Sequence, residues 1–369
     1  MANQYSKSAL FMSLLFLAPG MALSELRYDT EDGSEFLFYG QLDPAYLSFD
    51  DGVSTTSKLV DNTNSNSRVG MWYRSDTDYG AFAVNLETAL GLRPSAAVTQ
   101  GFTPDEMTWR TTNIRKVEAM WNIDRLGKFY VGQGSMSTDG VANKDLSGTT
   151  LVLYNSIPDT AGAFRFRTTA GALTTKTIAS AFGSFDGARK ARVRYDTPAF
   201  NGFSLSVSYG EEVLADNVDQ QVTDVAVTYA GDFGGNKLVG GIGYSHIDFD
   251  AAATRRDTIA SVSFLHTSGA NVTLAAGDRN VAGSYVYGKI GYRADWFAVG
   301  KTSLALDYYD GNDRTSAGSS SRAVGFGVVQ AFDRQGMEAY FGYREYSLRE
   351  TGVSYQDASS VMIGARWKF

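Results

Sequence analysis

Cysteine is absent from the 369 residues, so neither a disulfide nor a thiolate metal site can hold this fold together. Proline is scarce, at 6 residues, which leaves long stretches free of the one residue that cannot donate to a β ladder. The two histidines, His246 and His266, have no ligand spacing around them, and structural roles are expected for both in place of metal binding. After the amino terminus no apolar run reaches the about 20 residues that a membrane helix needs. Basic excess is missing too. With 33 Lys and Arg against 40 Asp and Glu the formal charge is −7, which argues against nucleic acid as a partner.

The first 24 residues read as an export signal. Lys7 is the only charge before Glu25, and the apolar run Ala9 to Ala18 is broken once, by Ser13. Gly20, Ala22 and Ser24 fit a cleavage after Ala22 or Ser24. About ten apolar residues cannot cross a bilayer. The expected mature chain, 25–369, is one exported domain, one unit more acidic once Lys7 is removed.

What the chain does have is 39 glycines, 21 tyrosines and 22 phenylalanines, which suits extended segments with aromatic ends. In the last segment Val361, Ile363, Ala365, Trp367 and Phe369 share one face, and Met362, Gly364, Arg366 and Lys368 share the other. An apolar face carried to a terminal aromatic is expected where a strand meets lipid, with Trp367 and Phe369 at the membrane interface. Phe203, Leu205, Val207 and Tyr209 likewise alternate with Ser204, Ser206 and Ser208.

Such segments begin at Glu35, Ser67, Gly80, Asn113, Gly127, Arg189, Phe203 and Val222, then at Lys237, Asp257, Ala270, Ser284, Gly300, Arg322, Met337 and Ser359. They predict about sixteen strands, an even number as in single-chain bacterial barrels. Short Gly/Asp/Asn links such as 76–80, 124–127 and 267–270 alternate with connections that are mostly longer, among them 51–66, 93–112 and 311–321. The expected fold is all-β: a transmembrane antiparallel barrel, oily outside and wet inside, with turns on the periplasmic rim and loops outside.

Four stretches carry a family resemblance: Phe38-Tyr39-Gly40-Gln41-Leu42-Asp43, Asn66-Ser67-Arg68-Val69-Gly70, the run from Arg192 to Phe203 through Thr197-Pro198, and the final Trp367-Lys368-Phe369. In this order they resemble the general Gram-negative bacterial porins, trimeric sixteen-stranded diffusion channels, over nearly the whole mature length. The resemblance implies an outer-membrane location, a homotrimer, contact with outer-membrane lipid, insertion by the barrel-assembly machinery through the C-terminal strand, and passage of ions and small hydrophilic solutes. It also implies a third loop folded into the lumen as a constriction, and the connection 135–188 lies in that place. The acidic Pro-Glu-Phe-Gly-Gly tip of enterobacterial relatives is absent from it. Its apolar run Leu151-Val152-Leu153-Tyr154 is expected to pack on the wall.

A diffusion pore needs no covalent chemistry and no cofactor; it works by diameter and by charges fixed on opposite walls. Alternation turns Arg68, Arg74, Lys116, Lys190, Arg192 and Arg194 to the lumen, facing the loop carboxylates Asp139, Asp145 and Asp159. Net acidity leans toward cations, but charge at the constriction outranks the total. Asp248 and Asp250 offer hard oxygens that suit Ca²⁺. Two alternatives remain, a solute-selective porin with a lumenal binding site and a plugged structural barrel. A barrel hydrolase lacks support, since no Gly-x-Ser-x-Gly elbow is present.

Overall fold

The computed structural model describes residues 26–249 and 252–369. The expected export signal and Asp250 lie outside them. Strand β1 runs in two pieces, Glu35–Leu42 and Pro44–Asp50, and β2 in two more, Thr55–Asp61 and Arg68–Thr77. There follow β3 (Gly80–Ala89), β4 (Ile114–Ile123), β5 (Gly127–Ser135), β6 (Arg189–Asp196), β7 (Phe203–Glu211), β8 (Gln220–Phe233) and β9 (Asn236–Phe249). The circuit is completed by β10 (Ala252–Leu265), β11 (Ala270–Arg279), β12 (Gly283–Phe297), β13 (Gly300–Asn312), β14 (Ser320–Phe332), β15 (Met337–Glu350) and β16 (Ala358–Lys368). Each pairs antiparallel with the next, and β16 returns to β1, Gln41 opposite Lys368 and Met362 opposite Leu47. The sixteen strands therefore close on themselves, and a short strand, Leu26–Asp29, covers the start of β1 at Glu35–Phe38.

One parity runs round the whole barrel. Ser208 of β7 faces Asp224 of β8, which faces Ser245 of β9 and then Asp257 of β10, all buried and inward. Their neighbours Val207, Tyr209, Val225 and Tyr244 are exposed on the outside. A soluble barrel would reverse these faces. Strands β8, β9 and β10 run 14 residues each, more than the about 9–11 that a tilted strand needs to cross a membrane, so the wall continues beyond the lipid.

The expected loop 51–66 is corrected. Thr55–Asp61 is strand, joined to β1 by a tight turn in which Asp51 accepts the Ser54 N–H at 2.8 Å. The ladder breaks only after it: six residues of β2, 62–67, stand opposite two of β1. The asparagine-rich stretch there makes a 3₁₀ turn capped by Asn62, whose side chain accepts from the Asn64 N–H. The connections between β1 and β2 and between β11 and β12 are also as short as the periplasmic turns, so the long rim is less regular than expected.

The seam between β16 and β1 is closed by the last residue. Phe369 exchanges backbone hydrogen bonds with Gly40, at 2.8 and 3.1 Å. Its ring covers Gly40 so closely that a Cβ there would lie 2.6 Å from Phe369 Cε2. Gly40→Val should therefore displace the ring, and the barrel should lose its resistance to unfolding in SDS without heating. A variant that still migrates as the compact unheated form would contradict this.

Candidate functional site

The connection 136–188 enters the barrel and circles its inner wall. At its root Arg194 of β6 donates to the Met136 carbonyl at 2.9 Å and pairs with Asp196 at 2.7 Å. The loop's amides then rest on inward side chains of successive strands. Ser137 N–H donates to Ser208 at 2.8 Å and Thr138 N–H to Asp224 at 3.0 Å. Lys144 N–H donates to Ser261 at 3.0 Å and Leu146 N–H to Ser263 at 2.9 Å. Ser208, Ser261 and Ser263 are thus rungs for the loop and not a free lining.

Further round, Lys289 of β12 is fully buried and holds the loop twice, by an ion pair to Asp145 at 2.7 Å and a hydrogen bond to the Leu153 carbonyl at 2.5 Å. Val152 and Leu153 sit in a hollow floored by glycines of β14 and β15. A Cβ on Gly327 would lie 2.8 Å from Leu153 Cγ, and one on Gly342 2.7 Å from Val152 Cβ. The apolar run packs on the wall as expected, with Leu151, Val152 and Leu153 all buried. Beyond it Asn62 donates to the Leu151 carbonyl at 2.8 Å, and Phe164 stacks on Phe49 of β1 at 4.2 Å.

From Arg165 to Thr177 the chain rises as a hairpin to the outer rim. There Arg167 pairs with Asp51 at 2.7 Å, and Thr169 N–H donates to the Ser354 carbonyl at 2.9 Å. The return arm packs Phe182 between Tyr309 and Tyr346 before rejoining β6. The loop therefore occupies the wall from β7 round to β1. Among the described residues its hydrogen bonds leave the wall from Arg68 of β2 to β5 free.

That stretch of wall is basic. Arg68 of β2 lies 3.4 Å from Glu87 of β3, and Arg115 of β4 lies 2.6 Å from the same carboxylate. Strict alternation would send Arg115 outward. A bulge at Glu87 and Thr88 makes it the extra residue of β4 and turns it into the lumen beside Lys116. Arg189, at the start of β6, reaches Asp139 of the loop at 3.9 Å. Lys116 lies 3.2 Å from Glu118, which also binds the buried Arg192.

On the loop side, Asp186 accepts the N–H groups of Gly140 at 2.7 Å and Ala142 at 2.9 Å, and it lies close enough to Asp139 to feel its charge. Crowding inside the barrel pushes the Asp159 carboxyl up to about 7, and nearby Asp186 adds to the rise. Asp186 is also pushed up to about 7, by burial first and Asp139 second, against the pull of its amide donors. Burial lowers the Lys144 ammonium.

The structure thus brings Arg68, Arg115, Lys116 and Arg189 into reach of one another, with Asp139 opposite. It holds other expected residues elsewhere. Arg74 pairs with Glu35 at 2.9 Å toward the turn rim, and Lys190 pairs with Glu212 at 2.6 Å. Arg192 is spent on Glu118, Arg194 on the root of the loop, and Asp145 on Lys289. Arg115, Arg189 and Lys289 did not stand out in the sequence. Lys289 was visible as an inward residue between Tyr287 and Gly291, but nothing local named its partner.

A family profile described as Gram-negative porin matches residues 9–351. The chain belongs to that family. Among solved structures, the porin resembles the anion-selective porin from Comamonas acidovorans, with a TM-score of 0.61 and 16% identity over 91% of this chain and 100% of that one. OmpT of Vibrio cholerae in its trimer form gives a TM-score of 0.54 at 19% identity, covering 91% and 99%. OmpF of Salmonella typhi complexed with daunomycin gives 0.54 at 14%, covering 93% and 100%. No curated protein sequence matches.

The porin is an outer-membrane channel for passive diffusion. Its histidines bind locally: His246 lies 3.2 Å from Asp248 on the outer face, and His266 meets Ser268 at 2.8 Å. Among the described residues no group of three or more His, Asp or Glu is arranged to hold a metal ion. Trp367 packs edge-on against Phe369 at 5.9 Å, beside the seam.

Proposed function

We propose that the porin passes small hydrophilic solutes between the loop and the β2–β6 wall, that it prefers anions at neutral pH, and that it performs no covalent chemistry and needs no cofactor. One observation carries this reading: Arg68, Arg115 and Arg189 line one stretch of wall, and among the described residues they pair with Glu87 and, at 3.9 Å, Asp139. Guanidinium groups stay charged at any working pH, whereas Asp159 and Asp186 are partly neutral near 7. Local charge then outweighs the acidic total, because the narrowest section sets the field an ion must cross. Similarity to a porin named as anion-selective points the same way. A homotrimer is the expected assembly, as for the trimer form of OmpT, with the C-terminal strand presented to the barrel-assembly machinery.

Reversal potentials across a KCl gradient in planar bilayers test the reading. Wild type should favour chloride, and the combined Arg68→Gln, Arg115→Gln, Arg189→Gln variant should lose or invert that preference. A wild-type channel that favours potassium at pH 7 would sink it.

The preference should also move with pH. A carboxyl raised to about 7 is held neutral below that value and ionises above it. The loop therefore gains negative charge as pH rises, and chloride preference should weaken between about pH 6 and pH 8. By the same linkage the loop is seated most firmly in acid, and stability falls as pH climbs from the ordinary carboxylate range to about 7.

A further inference from the structure

A second set of arginines lies at the outer mouth, on the wall across from the constriction. Arg255 of β10 and Arg279 of β11 both point inward, as does Asp257 between them. Arg279 grips the Asp257 carboxylate with two hydrogen bonds, at 2.7 and 2.8 Å. Arg255 Nε lies 3.3 Å from the same carboxylate but makes no aligned hydrogen bond. Arg314, from the connection after β13, reaches the same place. Its guanidinium carbon lies 4.4 Å from the centre of the Phe185 ring, and that of Arg279 lies 4.3 Å from it. One aromatic ring therefore gathers two cations, and one carboxylate gathers two.

Phe185 takes a positive φ of 55°, unusual for a bulky side chain. The loop thus accepts local strain to set this ring against the arginines. The two terminal nitrogens of Arg314 are held by the Ala282 and Phe182 carbonyls at 3.0 Å each. That leaves its Nε, like Arg255 Nε, shut off from solvent without an acceptor. Nearby acids among the described residues do not balance the set. Asp278 belongs to the outer face by parity, and Asp313 accepts the Gly318 N–H at 2.6 Å. Among the described residues three permanent cations share one carboxylate, and two buried donors have no acceptor.

We propose that Arg255, Arg279 and Arg314 form an anion-binding subsite at the outer mouth, fitted to a phosphate or phosphomonoester dianion. A tetrahedral dianion offers several acceptors at once, which suits converging guanidinium forks better than a halide does. Bound there, it would satisfy both empty Nε–H donors and neutralise the excess charge. The inference stands apart from the anion preference assigned to the constriction, since it uses no residue of that wall.

Inorganic phosphate is the probe. Added to both sides of a bilayer holding the wild-type protein in KCl, it should reduce chloride conductance saturably at constant ionic strength. Arg255→Gln and Arg314→Gln should each weaken half-block about tenfold, the loss of one charge-assisted contact, while conductance without phosphate stays close to wild type. Arg314 lies in the connection after β13, so Arg314→Gln leaves the strand ladders intact even if a strand variant does not fold. Asp257→Asn should strengthen the block. Phosphomonoesters should act like phosphate, and sulfate should show whether charge alone suffices. Block that does not saturate, or that persists unchanged in Arg314→Gln, overturns the proposal. Block lost only in the Arg68, Arg115, Arg189 variant would overturn it too, by assigning phosphate to the constriction.

Discussion

Leu153→Asp should raise single-channel conductance and widen the range of neutral sugars that pass, because it should drive the loop from its seat. Leu153 is wholly buried against Gly325 and Gly327, and the nearby cations Lys289 and Arg344 are already paired with Asp145 and Asp307. Desolvating an unpaired charge costs far more than the packing of one side chain can return. The milder Leu153→Ala should cost about 2–5 kcal/mol of local stability and give a noisier channel of nearly normal size. Filling the hollow from the other side should act in the opposite direction. A valine at Gly327 or Gly342 would push the tip toward the bore, since the loop is held on both flanks, and conductance should fall. If Leu153→Asp and Gly342→Val change conductance in the same sense, the seat does not set the width of the channel.

The second large effect is expected at Lys289. Lys289→Met removes the partner of Asp145 and a donor to the Leu153 carbonyl in one step. Losing one member of a buried pair costs about 3–5 kcal/mol, mostly because the other charge is stranded. The loop should then become sensitive to protease and the open channel unsteady. Adding Asp145→Leu to Lys289→Met removes the stranded charge and should restore most of the lost steadiness. The test is the contrast between single and double variants, measured as current noise and as loop cleavage in detergent. Equal defects in both would mean that the lysine acts only through the Leu153 carbonyl.

The barrel was legible because its rule is local. Every second residue meets lipid, and fifteen of the sixteen strand starts fall within five residues of their expected places; β2 begins earlier, at Thr55. Thr55–Asp61 escaped because only Leu59 and Val60 of its seven residues are apolar, so the segment resembles a turn. Arg115 escaped for a related reason: one inserted residue reverses the parity that alternation relies on. The loop was legible by length and place but not by contacts. Asp145 and Lys289 are far apart in the chain, and no period links them. Ser261 and Ser263 fall on the inward face by alternation and serve as hydrogen-bond acceptors for the loop. Where a side chain's partner lies across the barrel, the pattern gives its direction but not its use.

The bond between Gly40 and Phe369 has a consequence for biogenesis. The first and last strands of the sheet are neighbours, so every shorter portion of the chain carries two bare edges that invite pairing with other molecules. Contacts this distant in sequence also form slowly. Protection against misassociation must therefore last from the first strand synthesised until Phe369 meets Gly40.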